Sequence, residues 1–205
     1  MNKPRIIGVL CAGVFSFITL PSQAALISVL GGQAYYDDQL DITWAQDANI
    51  NGLMDWNTAN AWAAGLTIAG VGGWRLPNMD KNDDDTIVNC SSGTQAACAD
   101  NEYGHLFHYG AGTTLGGGVT SASPGPFSNV QSDGYWSSTV YAPVPLDAWG
   151  FDFSDGFQSN LNKIERFYGW AVQSGNAGVV PVPAAVWLFG SGLLGLIGVA
   201  RRKKA

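Results

Sequence analysis

The clearest strand signal in the chain is Tyr35-Tyr36-Asp37-Asp38-Gln39-Leu40-Asp41-Ile42-Thr43-Trp44. Residues 35–37 and 40–44 alternate in the manner of short β-strands, with two aspartates between them. Aspartate favours turns because its side chain hydrogen-bonds to the backbone two residues further on. The stretch therefore predicts two short strands around an Asp-Asp turn.

Downstream of this stretch, the spacing of apolar residues predicts two helices. The first carries apolar residues at helical spacing, at Trp56, Ala59, Ala63 and Leu66. Asp55 is placed to cap its first turn, and residues 70–73, which contain three glycines, follow it. The second helix is predicted from Asn101 to Tyr109.

The rest of the domain predicts strands and one long loop. Residues 74–77 read as a short strand ended by proline, and residues 110–126 as a loop rich in Gly, Ser and Thr. Aromatic-rich strands are predicted over residues 135–139, 149–153 and 167–172. Two helices among short strands make this an α+β domain.

Several of these segments together resemble a known family. Leu40-Asp41-Ile42-Thr43-Trp44, Trp74-Arg75-Leu76-Pro77 and Tyr135-Trp136-Ser137-Ser138-Thr139 follow the order seen in the Lcl C-terminal domain family. The resemblance covers roughly residues 34–173 and implies a C-type-lectin-like single domain, related in fold to formylglycine-generating enzymes. It further implies an exported, often surface-displayed domain, with adhesion to polymers suggested for some members. The family usually carries Arg after the final Val, where this chain has Gln173.

The C-terminal tail predicts a membrane-spanning sorting signal. Val180-Pro181-Val182-Pro183-Ala184 precedes an apolar run, and Arg201-Arg202-Lys203-Lys204 follows it. As a helix, residues 182–200 would span ~28 Å, close to the ~30 Å hydrocarbon core of a bilayer. Residues 181–205 resemble the PEP-CTERM type of exosortase sorting signal in its Val-Pro-x-Pro-Ala variant, which implies exosortase and the secretion machinery as partners. The alternative is a plain single-span anchor.

The N-terminus predicts a secretory signal over residues 1–24. Lys3 and Arg5 precede an apolar segment, and Ser22-Gln23-Ala24 supplies small residues for cleavage. The expected organisation is then a domain over 25–173, a linker over 174–180 and the sorting signal. Both termini predict that the domain is exported, held by its C-terminal helix before processing, and then at the cell surface or outside the cell.

The charge of the domain excludes one class of partner. All sixteen acidic residues lie between Asp37 and Arg166, and only four basic residues, with Arg166 included, share that region, which gives a net charge near −12. Such a surface repels nucleic acid, so no nucleic-acid partner is expected.

Two cysteines of the exported domain predict a disulfide. Cys90 and Cys98 are separated by seven residues, and an oxidising compartment favours a bridge between them. A redox pair or thiolate metal site would need a different spacing and nearby ligands.

An acidic stretch is the candidate cation site. Asp80, Asn82 and Asp84 place oxygen ligands at alternate positions, as Ca²⁺ prefers, although Asp85 and Ser91 replace the Gly and Glu of an EF-hand loop. The stretch is either a looser calcium loop or a solvated acidic loop. No other cofactor is expected.

The aromatic residues suggest a ligand-binding surface. Trp136, Tyr141 and Trp149 flank the proline-containing segment 142–145, and flat rings beside polar groups are typical of sugar-binding surfaces. Core packing accounts for most of the other tryptophans. An extracellular glycan is the expected ligand. Calcium-mediated sugar chelation is not supported, since the chain offers only Leu76-Pro77-Asn78 in place of the lectin triplets.

No catalytic residue is assigned. Glu102, His105 and His108 recur every third residue, but ligands on one short helix rarely converge on a single metal centre, so a polar helix face with partly exposed imidazoles is expected. The expected function is binding or organising extracellular polysaccharide. The alternatives are a structural surface protein without a specific ligand, and an enzyme on a formylglycine-generating fold.

Overall fold

The computed structural model describes residues 26–110 and 115–179. The predicted signal peptide, the exosortase motif at 180–184 and the membrane helix at 182–200 lie outside the described residues. Within the described residues, no helix combines the length and the apolar character that crossing a bilayer requires.

The strands form two antiparallel sheets. The larger contains β1 (Leu26–Val29), β2 (Ala34–Asp37), β3 (Ile42–Ala45), β8 (Val172–Ser174) and β4 (Trp74–Arg75), in that spatial order. The smaller contains β5 (Gly134–Val140), β6 (Asp147–Asp152) and β7 (Gln158–Asn162). The predicted hairpin is confirmed, because β2 and β3 pair with Asp37 opposite Ile42.

Helices accompany these sheets at two places. Helix α1 (Trp56–Gly65) is capped as predicted, since Asp55 Oδ1 accepts from Thr58 N at 3.0 Å. Helix α3 (Glu102–His108) lies within the predicted second helix, and the short α2 (Gln95–Cys98) precedes it. The expectation of an α+β domain is thus confirmed as a mixed structure of two sheets and few helices.

Some boundaries differ from the prediction. Strands β1 and β7 were not predicted, and the expected strand over 167–172 is reduced to isolated bridges at Phe167 and Tyr168 and the first residue of β8. The expected linker over 174–180 starts inside β8, and it stays bonded to the sheet because Gly175 N donates to Asp41 O at 2.7 Å. The folded unit therefore continues past residue 173.

The core is rich in aromatic side chains. Tyr103 of α3 is fully buried, and its ring contacts Trp44, Tyr135 and Phe151 of the two sheets and Phe153 just after β6. Trp170 packs on Trp44 at 5.3 Å and donates its Nε1 to Ala45 O. Buried aromatic surface on this scale is the main stabilising contribution to such a domain.

Candidate functional site

A surface groove lies between the chain that follows β4 and the end of β5. Two adjoining cavities of about 320 and 370 Å³ make it up. Both are lined by a shared set of residues, Asp80, Asp85, Thr139, Val140 and Ala142. The acidic stretch and the β5–β6 connection thus face each other although about sixty residues separate them in sequence.

Hydrogen bonds hold the two sides of the groove together. Pro77 O accepts from Ser138 N at 2.8 Å and from Ser138 Oγ at 3.1 Å. Thr139 Oγ1 donates to Asn78 Oδ1 at 2.7 Å and accepts from Met79 N at 2.9 Å. The register of β5 against β6 shifts between Trp136 and Val140, and an irregularity of this kind redirects side chains at a strand end.

The acidic wall of the groove is an ordered loop. Asp80 is 7 % exposed, and its two carboxylate oxygens accept from Asp84 N at 3.1 Å and Asp85 N at 2.9 Å. Asn82 Oδ1 also accepts from Asp84 N. Asp83 and Asp85 have positive φ angles of 59° and 61° and exposed side chains that line the groove. The loop therefore presents carboxylates on a defined backbone.

The predicted calcium ligands lie in this loop. Asp80 lines the groove, whereas Asn82 Nδ2 donates to Asp84 Oδ2 at 3.2 Å and neither of those two residues is part of the groove lining. In the described ranges no group of three His, Cys, Asp or Glu side chains is placed to hold a metal ion. Because the predicted set includes an amide, calcium binding here stays a prediction.

The opposite wall carries two of the three predicted aromatic residues. Tyr141 and Trp149 both line the groove and form an edge-to-face pair with ring centroids 5.5 Å apart. Ser137 Oγ donates to Trp149 O at 2.7 Å, which fixes the strand beneath the indole. Both rings are half-buried, so each has a packed side and an accessible side.

The prediction for Trp136 is wrong. Its side chain is fully buried, and its Nε1 donates to Met54 O at 2.9 Å. It packs edge-to-face on Phe167 at 5.0 Å. Tyr135 and Trp136 are neighbours in β5 and are both fully buried, so both faces of this part of the strand are covered.

The polar residues of α3 serve the fold. Glu102 is fully buried and accepts from Arg75 Nη1 and Nη2, each at 2.7 Å, and from Asn78 N. His105 is 1 % exposed, which corrects the expected exposed imidazole, and its Nδ1 lies 4.0 Å from Asp37 Oδ2. Burial lowers the pKa of His105 to about 4 and raises that of Asp37 to about 6.

Sequence reasoning did not assign the polar residues that complete the groove, Asn78, Ser138 and Thr139. All three belong to motifs that carried the family resemblance or adjoin one, yet nothing in their spacing shows that they meet. Their proximity follows from the hydrogen bonds between residues 77–79 and β5.

The predicted disulfide is confirmed. Cys90 and Cys98 are bonded with their Cα atoms 5.3 Å apart, within the usual range. Both cysteines are fully buried beside Tyr109, whose hydroxyl donates to Gly93 O at 2.6 Å.

These features define a disulfide-bonded domain of mixed α and β structure with an open, acidic and aromatic surface groove. The chain matches the Lcl C-terminal domain over residues 33–173. Because the match covers more than half of its length, the protein belongs to the Lcl C-terminal domain family. Comparison with curated proteins gives no match.

Proposed function

We propose that this protein is exported, sorted at its C-terminus by exosortase, and binds or organises extracellular polysaccharide through the groove. One observation carries the proposal: the groove combines an aromatic pair with hydroxyl, amide and carboxylate groups. An aromatic ring packs on the apolar face of a sugar, while the polar groups pair with its hydroxyls.

Family membership and the disulfide support the location. Within this proposal the domain has a C-type-lectin-like fold, as the family implies. The buried bridge between Cys90 and Cys98 is typical of proteins in oxidising compartments. The C-terminal membrane helix holds the chain until exosortase processes it, after which the domain is at the cell surface or in the matrix.

Binding in the groove relies on stacking and hydrogen bonds. The amide oxygen of Asn78 already accepts from Thr139 Oγ1 and from Asp80 N at 2.9 Å, so it is committed to the wall of the groove. Catalysis is not proposed, because the groove lining, as far as the structure describes it, contains no histidine and Ser138 Oγ donates to a backbone carbonyl.

A glycan array tests the proposal. We expect the full-length chain to bind at least one neutral or cationic polysaccharide, and Tyr141→Ala and Trp149→Ala each to weaken binding about tenfold or more, as for the loss of a stacking contact and its buried area. Phe157→Ala is the matched control, since that aromatic side chain is 65 % exposed and lies outside the groove. Trp149 also packs against the core, so Trp149→Ala could lose binding because it misfolds. Tyr141→Ala tests the aromatic wall independently of that effect.

Two results would contradict this function. Failure to bind any glycan on the array would favour a structural surface protein without a specific ligand. Equal loss of binding in the groove variants and in Phe157→Ala would place the binding surface elsewhere.

A further inference from the structure

The described residues that line the groove carry negative charge and no positive charge. Asp80, Asp83 and Asp85 line it, and neither Lys nor Arg from residues 26–110 and 115–179 is part of the lining. The two cations nearest in sequence have other partners, since Lys81 Nζ donates to Leu40 O at 3.1 Å and the Arg75 guanidinium pairs with Glu102.

The surroundings strengthen this field. The region from Asp37 to Arg166 holds sixteen acidic against four basic residues. A cleft lined by one sign of charge concentrates ligands of the opposite sign and repels those of the same sign. Sulfated or carboxylated polysaccharides are therefore disfavoured in this groove.

The aromatic wall also favours a positively charged ligand. In the cavity that contains Trp149 and Tyr141, the rings share the lining with Asp80 and Asp85. An ammonium group near an indole or phenol ring gains a cation–π interaction, and a carboxylate on its other side adds a charge-assisted hydrogen bond. A sugar ring that carries an amine matches both walls at once.

We propose that the ligand of the groove is a polymer of amino sugars whose amines are free and protonated. This inference rests on the proposed function and narrows it to one class of polysaccharide. The aromatic wall holds the sugar ring, and the exposed carboxylates of Asp83 and Asp85 select the amine over its N-acetylated form.

Asp83 and Asp85 provide the test. Both side chains are exposed, and asparagine tolerates the left-handed backbone that they adopt, so Asp83→Asn/Asp85→Asn keeps the fold and removes two charges. The matched control is Asp155→Asn/Glu165→Gln, which removes two charges outside the groove.

Binding of the full-length chain is measured by calorimetry with glucosamine oligomers and N-acetylglucosamine oligomers of equal length, at a pH that protonates the amines. We expect the free-amine oligomer to bind about tenfold tighter or more, and the preference to shrink with added salt. Asp83→Asn/Asp85→Asn removes the preference, whereas the control variant retains it.

The outcomes separate this inference from the proposed function. Equal affinity for both oligomers, lost in Tyr141→Ala, overturns the amine selectivity and leaves polysaccharide binding in place. Binding only to other neutral polysaccharides also overturns the amine selectivity and leaves polysaccharide binding in place. No binding to any glycan overturns both. Equally tight binding of polylysine, unaffected by Tyr141→Ala, also overturns the inference, because it shows charge attraction without sugar recognition.

Discussion

At the scale of single residues, buried charge is the main feature that separates this domain from an ordinary apolar core. Glu102 is fully buried and is satisfied by Arg75 and by the backbone of Asn78. Asp37 and His105 are about equally buried, yet Asp37 Oδ2 and His105 Nδ1 have no hydrogen-bond partner in the described part of the chain. The buried charge of Glu102 is therefore compensated by an ion pair and a hydrogen bond, whereas the buried Asp37–His105 site lacks such compensation.

Removal of Arg75 should strongly destabilise the fold. Arg75→Met leaves the Glu102 carboxylate buried without its cation, a change that costs about 3–5 kcal/mol of the free energy of unfolding. Urea denaturation measures this loss. Arg166→Met is the control, because Arg166 is exposed and donates to Leu53 O, and its loss should cost about 1 kcal/mol or less. Equal losses in the two variants would contradict this account of Glu102.

Asp37→Asn should stabilise the protein at neutral pH. Burial raises the pKa of Asp37 from 3.8 to about 6, so the folded state binds this proton more tightly and stability is lost as the pH rises through 6. Asparagine keeps the Oδ1 that accepts from Gln39 N and Leu40 N, and it removes the charge. The expected gain in unfolding free energy at pH 7 is up to about 3 kcal/mol.

The same variant changes the response to acid. Burial lowers the pKa of His105 from 6.5 to about 4, so its contribution to stability falls as the pH drops from 6.5 to 4, opposite in sign to that of Asp37. Asp37→Asn should therefore lose stability more steeply than wild type over that range in thermal melts. Asp155→Asn, which keeps its bond to Phe157 N, should follow wild type. Parallel pH profiles of Asp37→Asn and wild type would refute the interpretation.

At the scale of elements, α3 joins the disulfide, β4 and the groove. Asn101 Oδ1 caps the helix by accepting from Gly104 N at 2.9 Å. Gly104 has no Cβ, and a Cβ there would lie 2.7 Å from Cys90 Sγ, so the helix packs directly on the bridge. Glu102 ties the same turn to the chain at 75–78, next to the groove.

Loss of the disulfide should weaken this arrangement. Cys90→Ala/Cys98→Ala removes a bridge that closes a short loop, for which the chain-entropy model gives about 2–3 kcal/mol. Urea denaturation with and without reductant measures the effect. Reductant should destabilise the wild-type chain and leave the variant unchanged. If the free energy of unfolding of the wild-type chain is the same with and without reductant, the prediction is contradicted.

The loop over 80–85 gives the calcium prediction its test. An ion held by Asp80, Asn82 and Asp84 stabilises the folded state by mass action, so calcium should raise the Tm and excess chelator should reverse the rise. Asp84→Asn should abolish the shift, while Asp83→Asn, outside the predicted ligand set, should retain it. A melting curve that calcium does not move would rule the site out.

At the scale of the whole molecule, the predicted processing at both ends has a direct measurement. Export and sorting predict that the mature protein begins at Ala25 and ends near the motif at 180–184. Intact-mass spectrometry of the native protein, with and without reduction, fixes both ends and the Cys90–Cys98 bridge together. A mass equal to that of the full chain with reduced cysteines would overturn export.

The sequence alone determined the local features of the domain. Four features depend mainly on residues that are close in sequence: the hairpin at 35–44, the Asp55 cap of α1, the core of the second helix and the cysteine bridge. Their periodicity and turn-forming residues can be recognised from the sequence without the fold. The aromatic content likewise predicted a packed core, which Tyr103 and its neighbours form.

Only the tertiary structure decided which residues share the groove. Asp80 and Thr139 meet because Pro77 and Asn78 bond to β5, a contact between segments far apart in the chain. The ring of Trp136 is buried against Met54 and Phe167, whereas Trp149 of the neighbouring strand lines the groove. Aromatic residues in both strands look alike in sequence, since packing between sheets, and not local pattern, sets which face is buried.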